Sequence, residues 1–276
     1  MCDLHGCNRS DDDRPLPQAT SAQRRLFLKG MLSLPLAVVL ADPLLAQAAG
    51  ARTQAVKLGL GSGAEVGAHL AVPAGDGPFP AVVLIHEWWG LNNQIKAVAA
   101  ELAEQGFIAL AVDLYGGGVA DTREGAMALK NGVDDARATE TLVGWIEWLR
   151  QHDLCNGKVG TLGWCFGGGW SLEASLATPV DATIVYYGNV RRTPEQLASL
   201  QSPVLGHFGT LDKSIDEAMV GDFERAMAEA GKTDLQVHWY VADHAFANPT
   251  GARYDEENAA LAWSRSLAFL YQHLSG

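Results

Sequence analysis

The sequence predicts an α/β fold, a mostly parallel central sheet with helices on both faces. Three observations carry this. The runs "PAVVLIH" (80–86), "FIALAVDLY" (107–115) and "KVGTLGW" (158–164) are continuously apolar over strand length, as strands buried on both faces are. Helical stripes separate them, such as Ile95, Val98, Ala99 and Leu102 at i, i+3, i+4 and i+7. Strand and helix then alternate to the C-terminus with no dividing linker, the pattern of a single doubly covered sheet.

In chain order, "QAVKLGL" and "VGAHLAV" read as two strands joined by the turn "GSGAE". The buried strands follow, with the Ile95 helix after the first and a stripe of Leu142, Trp145, Ile146 and Leu149 before the third. A helix comes after "GWCFGG", then strands "ATIVYYG" and "PVLGHFG" and a helix carrying Met219, Phe223 and Met227. Strand "LQVHWYV" and a helix with Trp263, Leu267, Leu270 and Leu274 close the chain. His207, inside a buried strand, reads as structural.

The first fifty residues differ. "QRRLFLKG" leads into the apolar run "MLSLPLAVVLA" of eleven residues, too short for the roughly 20 a bilayer requires and of signal-peptide length. Ala46-Gln47-Ala48 has the small-x-small form of a cleavage site. Arg24-Arg25 resembles the twin-arginine export signal of bacteria, with Gln23 where Ser or Thr is usual. The expectation is a leader over 1–48 that engages the twin-arginine export machinery and is removed. A single domain over 49–276 would then work in the periplasm with no stable membrane anchor. Cys2 and Cys7 would leave with the leader, and "CDLHGC" makes a poor metal site. Cys155 and Cys165 remain, too far apart along one strand for a disulfide.

The net charge of −12 among 276 residues argues against a nucleic-acid partner. "HEWWG" lacks the second His of a zinc helix, and the glycines do not form a dinucleotide fingerprint. These motifs therefore give no zinc or dinucleotide cofactor site.

In parallel sheets, chemistry collects at the carboxyl ends of the strands. There stand His86, Glu87, Trp88 and Trp89, then Asp113 and Tyr115, then Cys165, Asp212, Asp243 and His244. "GWCFGG" gives Gly-x-Cys-x-Gly, a nucleophile elbow with sulfur for oxygen. Nucleophile, acid and base then follow in the chain order Cys165, Asp212, His244. His244 would take the thiol proton, Asp212 would hold the imidazole, and the backbone N–H groups of Phe166 and Trp88 would hold an oxyanion. Trp89 joins Trp88 as a pocket wall.

"HEWWGL", "VDLY", "GWCFGG", "GHFGTLD" and "HAFAN" together resemble the successive motifs of the dienelactone hydrolase family, from about residue 55 onward. The resemblance implies an α/β-hydrolase fold, a small-molecule ester or lactone substrate and a thioester intermediate, with no metal or organic cofactor. It makes Glu87 the glutamate that contacts the cysteine and is displaced by substrate. Gly117 and Asn248 stand where members that cleave the carboxylated lactone carry arginine, so dienelactone itself is disfavoured, with Arg123 the alternative cation. Two other classes are a thiol redox or sensor protein and an inactive binding module, and neither needs an intact Cys, His and Asp set.

Overall fold

The structure, a computed structural model, describes residues 2–3, 6–7 and 16–275. The side chains of Cys2, His5 and Cys7 lie outside the described residues. Eight strands form one sheet: β1 (Gln54–Gly59), β2 (Glu65–Ala71), β3 (Phe79–Ile85), β4 (Ile108–Val112), β5 (Cys155–Trp164), β6 (Ala182–Tyr186), β7 (Val204–Gly209) and β8 (Leu235–Tyr240). Their spatial order is β8-β7-β6-β5-β3-β4-β2-β1. The six from β8 to β4 run parallel, and the hairpin β1–β2 adds two antiparallel strands at one edge. This is the expected α/β-hydrolase architecture.

Helices α4 (Asn93–Glu104) and α10 (Glu256–Leu274) cover one face. Helices α6 (Asp135–Arg150), α7 (Phe166–Ala177) and α9 (Glu217–Glu229) cover the other. The unbroken apolar runs follow from this. Within β3, Val82 and Leu84 face the α4 side while Ala81, Val83 and Ile85 pack against α6, all wholly buried. Side chains cap the starts of α4 and α6, Asn92 accepting from the Gln94 and Ile95 N–H groups and Asp134 accepting from the Arg137 N–H, which satisfies amides the helix leaves open. His207 is structural, as expected: its ring bonds Tyr240 Oη at 2.9 Å and Ser266 Oγ at 3.0 Å in a fully buried network.

The expected leader packs as part of the same body. It forms α1 (Ser21–Leu28), α2 (Leu36–Ala41) and α3 (Pro43–Gly50), with α5 (Arg123–Asn131) and the single turn α8 (Pro194–Leu197) completing the helices. Pro35 and Pro43 break the apolar run into short helices that cannot bury their own faces. They lie against α4 instead, and Phe27, Val39, Leu40, Leu45 and Ala49 join the main core. Asp42 both caps α3 and pairs with Arg24, its Oδ2 2.7 Å from Arg24 Nε. The expected domain boundary at 48/49 therefore falls inside α3. No helix among the described residues is long and apolar enough to cross a membrane.

Candidate active site

Cys165 occupies the turn from β5 into α7 with φ +54° and ψ −113°, a conformation that costs a non-glycine residue on the order of 1–3 kcal/mol. The surrounding glycines make the turn possible. A Cβ on Gly163 would fall 2.0 Å from the Gly167 carbonyl oxygen, and one on Gly167 would fall 2.2 Å from that of Ile85. Side chains at either place would push α7 off the sheet, so the elbow needs glycine on both sides of the cysteine.

The sequence separates Cys165, Asp212 and His244 by up to 79 residues, and the fold brings them into one line. Cys165 Sγ lies 3.2 Å from His244 Nε2, and His244 Nδ1 lies 2.6 Å from Asp212 Oδ2. Asp212 Oδ1 accepts from the N–H groups of Ser214 and Ile215. Burial alone would raise the Asp212 carboxyl, but the hydrogen bond and charge of His244 outweigh it and hold it below its usual range. Burial alone would lower His244. A charge on Cys165 and the bond to Asp212 overcome this and lift it to about 10.

Cys155 and Cys165 are both free thiols, and Cys165 packs partly buried against the core. Among the described residues, neither the Phe166 nor the Trp88 backbone N–H donates a hydrogen bond within the protein. Both residues line the cavity over Cys165, as an oxyanion-binding pair requires.

Glu87 differs from the role the resemblance implies. Its carboxylate accepts from Asn248 Nδ2 at 2.7 Å, while the Cys165 sulfur is directed to His244. Asn248 is itself oriented by Thr250, whose N–H and hydroxyl both donate to its Oδ1. Glu87 is nearly buried, and burial lifts its carboxyl to about 7. Before it in the chain, His86 is wholly buried; its Nδ1–H donates to the Glu87 carbonyl and its Nε2 accepts from the Leu114 N–H. It acts as a brace rather than a titrating group, because burial lowers its affinity for a proton.

The cavity above Cys165 measures about 970 Å³. Trp88, Trp89, Phe166 and Trp170 supply aromatic wall, and Arg123 reaches it as expected for the alternative cation. Tyr115 does not line it. Its ring packs against His86 and Phe166 instead, at 4.7 and 5.5 Å between centroids. The rim is more basic than the aromatic wall expected from sequence, since Lys130, Arg191, Arg192 and Arg253 also line it. Gly117 lies outside the lining with φ +94°. That turn conformation favours glycine over arginine whatever the substrate.

Sequence reasoning missed Tyr187 and Ala245. Among the described residues the non-glycine positions with positive φ are Cys165, Tyr187 (φ +36°) and Ala245 (φ +62°), and all three line this cavity. Tyr187 sets its ring 5.3 Å from His244, and its buried hydroxyl has no hydrogen-bond partner among the described residues. Strain gathered at one site is the mark of a functional constellation. The pattern "YYGN" at a strand end was the available signal, and nothing in it told which tyrosine turns toward the histidine.

The dienelactone hydrolase family profile matches residues 66–274. The chain belongs to the dienelactone hydrolase family. A carboxymethylenebutenolidase of Pseudomonas sp. (strain P51) is 29% identical, over 79% of this chain and 94% of that protein. Another, carboxymethylenebutenolidase 1 of Cupriavidus pinatubonensis, is 28% identical, over 76% of this chain and 92% of its own. Among solved structures, a dienelactone hydrolase-like promiscuous phosphotriesterase from metagenomic libraries superposes with a TM-score of 0.72 at 25% identity, covering 80% of this chain and 99% of that one. The protein is thus a lactone or ester hydrolase on the α/β-hydrolase fold.

Proposed function

We propose that the protein hydrolyses a carboxylic ester or lactone with Cys165 as nucleophile, His244 as acid and base, and Asp212 as the group that orients and charges the histidine. The observation that carries this reading is the continuous line from Cys165 Sγ to His244 to Asp212, 3.2 and 2.6 Å long. His244 Nε2, within hydrogen-bond reach of the sulfur, takes the thiol proton and leaves the thiolate as nucleophile. The thiolate attacks the ester carbonyl, forming the S–C bond, and the oxyanion rests on the Phe166 and Trp88 N–H groups. Collapse breaks the C–O bond, and His244 passes its proton to the departing alkoxide. Neutral His244 then takes a proton from water, whose hydroxide attacks the thioester. The carboxylic acid leaves and the thiolate–imidazolium pair returns.

A small neutral ester or lactone is the favoured substrate. Arg123, Lys130 and Arg191 line the cavity, but Asn248, bonded to Glu87, offers an amide where a carboxylate clamp at that position would need a guanidinium. A thiol sensor or an inactive binding module would have no use for the Asp212–His244 line. The test is p-nitrophenyl acetate hydrolysis by the wild type and Cys165→Ala. Activity retained at near wild-type rate in the variant sinks the mechanism.

The N-terminal segment is proposed to export the protein to the periplasm by the twin-arginine route. Arg24-Arg25, the short apolar run and Ala46-Gln47-Ala48 support this. The bond after Ala48 lies within α3, between the buried Ala46 and Ala49, so processing requires the segment to undock first. Mass spectrometry of the periplasmic protein should find an N-terminus near Ala49. Protein confined to the cytoplasm and starting at Met1 refutes it.

A further inference from the structure

A second cavity lies behind the first. It measures about 320 Å³, within the range of small-molecule sites. Ile95 and Val98 of α4, Trp164 at the end of β5 and Trp263 and Leu267 of α10 build its inner walls. Leu36 and Leu40 of α2 line it as well; they belong to the segment proposed above to be removed, so the cavity is complete in the unprocessed full chain. Three residues, Glu87, Tyr187 and Asn248, line both cavities and form the partition between them. The partition is held on this line by the single 2.7 Å hydrogen bond from Asn248 to Glu87. Cys165 itself packs against the apolar cluster that these walls belong to.

We propose that this second cavity is the site for the saturated acyl chain of a neutral ester, entered when the Glu87–Asn248 contact parts and filled while the acyl group is carried on Cys165. No lysine, arginine or histidine lines it, so it selects no anionic headgroup. Gln94, a polar lining residue, already donates to the Leu40 carbonyl and the Thr250 hydroxyl. The polar atoms that face the nucleophile, on Glu87 and Asn248, stand at the end where the ester carbonyl would sit. A volume of 320 Å³ is about ten water volumes. A methylene fills roughly the space of one water, so a chain of about six to eight carbons fits with room to adjust. Each methylene moved from water to such walls is worth roughly three- to four-fold in affinity.

The kinetic arm of the test rests on the Cys165 reading above, and the binding arm does not. In the first, kcat/KM of the full chain is measured on p-nitrophenyl acetate, butyrate, hexanoate and octanoate. The ratio of octanoate to acetate should exceed about tenfold in the wild type. Val98→Phe and Ala259→Phe, which project a ring into the cavity from opposite helices, should each cut that ratio at least tenfold. Ala259 is only half-buried, so its variant stands if Val98→Phe fails to fold. In the second arm, calorimetric titration of Cys165→Ala with 1-octanol, a neutral probe, should show one saturable site that Ala259→Phe weakens at least tenfold. A wild-type profile flat from acetate to octanoate overturns the proposal. So does a ratio untouched by both ring insertions, or octanol binding that is absent or indifferent to Ala259→Phe. If no ester is turned over at all, the nucleophile reading fails and the octanol arm alone decides the cavity.

Discussion

Replacing Glu87 with Gln removes a charge that the fold holds at a cost. Burial lifts the Glu87 carboxyl from an ordinary 4.5 to about 7, with the His244 charge and the Asn248 hydrogen bond opposing it. Between those two values the folded protein holds a proton that the unfolded chain has released. Stability therefore falls as pH rises from about 4.5 and levels off above about 7. At 1.36 kcal/mol per unit, the full penalty above pH 7 is on the order of 3 kcal/mol. Gln at 87 can still accept from Asn248 and carries no charge, so it escapes that penalty. In urea denaturation at pH 8, Glu87→Gln should be more stable than wild type by up to about 3 kcal/mol, a rise of roughly 5–10 °C in Tm for a chain of this size. The advantage should shrink steadily to pH 5, where the native carboxyl is already neutral. An equal gap between the two proteins at both pH values would refute the buried, proton-holding carboxyl.

Three further outcomes follow from the site geometry. Gly167→Ala puts a Cβ 2.2 Å from the Ile85 carbonyl oxygen, a backbone atom that cannot step aside. It should cost more than about 3 kcal/mol in a denaturant melt or give no soluble protein, and ordinary stability would contradict the close approach. Asp212→Asn keeps the shape beside His244 and removes the charge. Its kcat on p-nitrophenyl acetate should fall about 10²–10⁴-fold with the fold intact by circular dichroism. Gly117→Arg must adopt φ +94°, so it should lower stability by about 1–2 kcal/mol. It should also leave the preference between a neutral lactone and its carboxylated analogue unchanged, because position 117 does not line the cavity; a shift toward the anion would overturn that placement.

The strands were legible because burial on both faces removes the polar alternation that otherwise marks a surface. Trp145 and Val82 are on opposite sides of one sheet and both are wholly buried, so the sequence writes both as plain hydrophobes. That Cys165, Asp212 and His244 meet was legible because a parallel sheet delivers its strand ends to one edge. The partners of Glu87 were not. Whether a carboxylate bonds a cysteine or an asparagine 161 residues away depends on rotamers and loop closure, which leave no trace in composition or spacing. Gly117 shows the reverse error: a missing arginine was read as lost substrate affinity, where a left-handed turn already asks for glycine.

The N-terminal run is ambiguous for a physical reason. On the proposed export reading, the mostly apolar eleven-residue run after two arginines would suit an export pathway because it lowers its free energy on leaving water. Part of the same run gains by packing into the body instead, where Val39 and Leu40 are buried. The two destinations compete for one hydrophobic face, and a hydropathy pattern describes the face without naming the partner. The docked form has a consequence for the competition. Arg24 is held by Asp42 in the docked form, while Arg25 stands exposed. Lifting the segment also takes Leu36 and Leu40 from the acyl cavity. Undocking would therefore free Arg24 and open that cavity together. Asp42→Ala, which removes both the ion pair and the cap of α3, should speed protease nicking within residues 30–50 of the full chain. Nicking at the wild-type rate would mean that the apolar contacts alone hold the segment down.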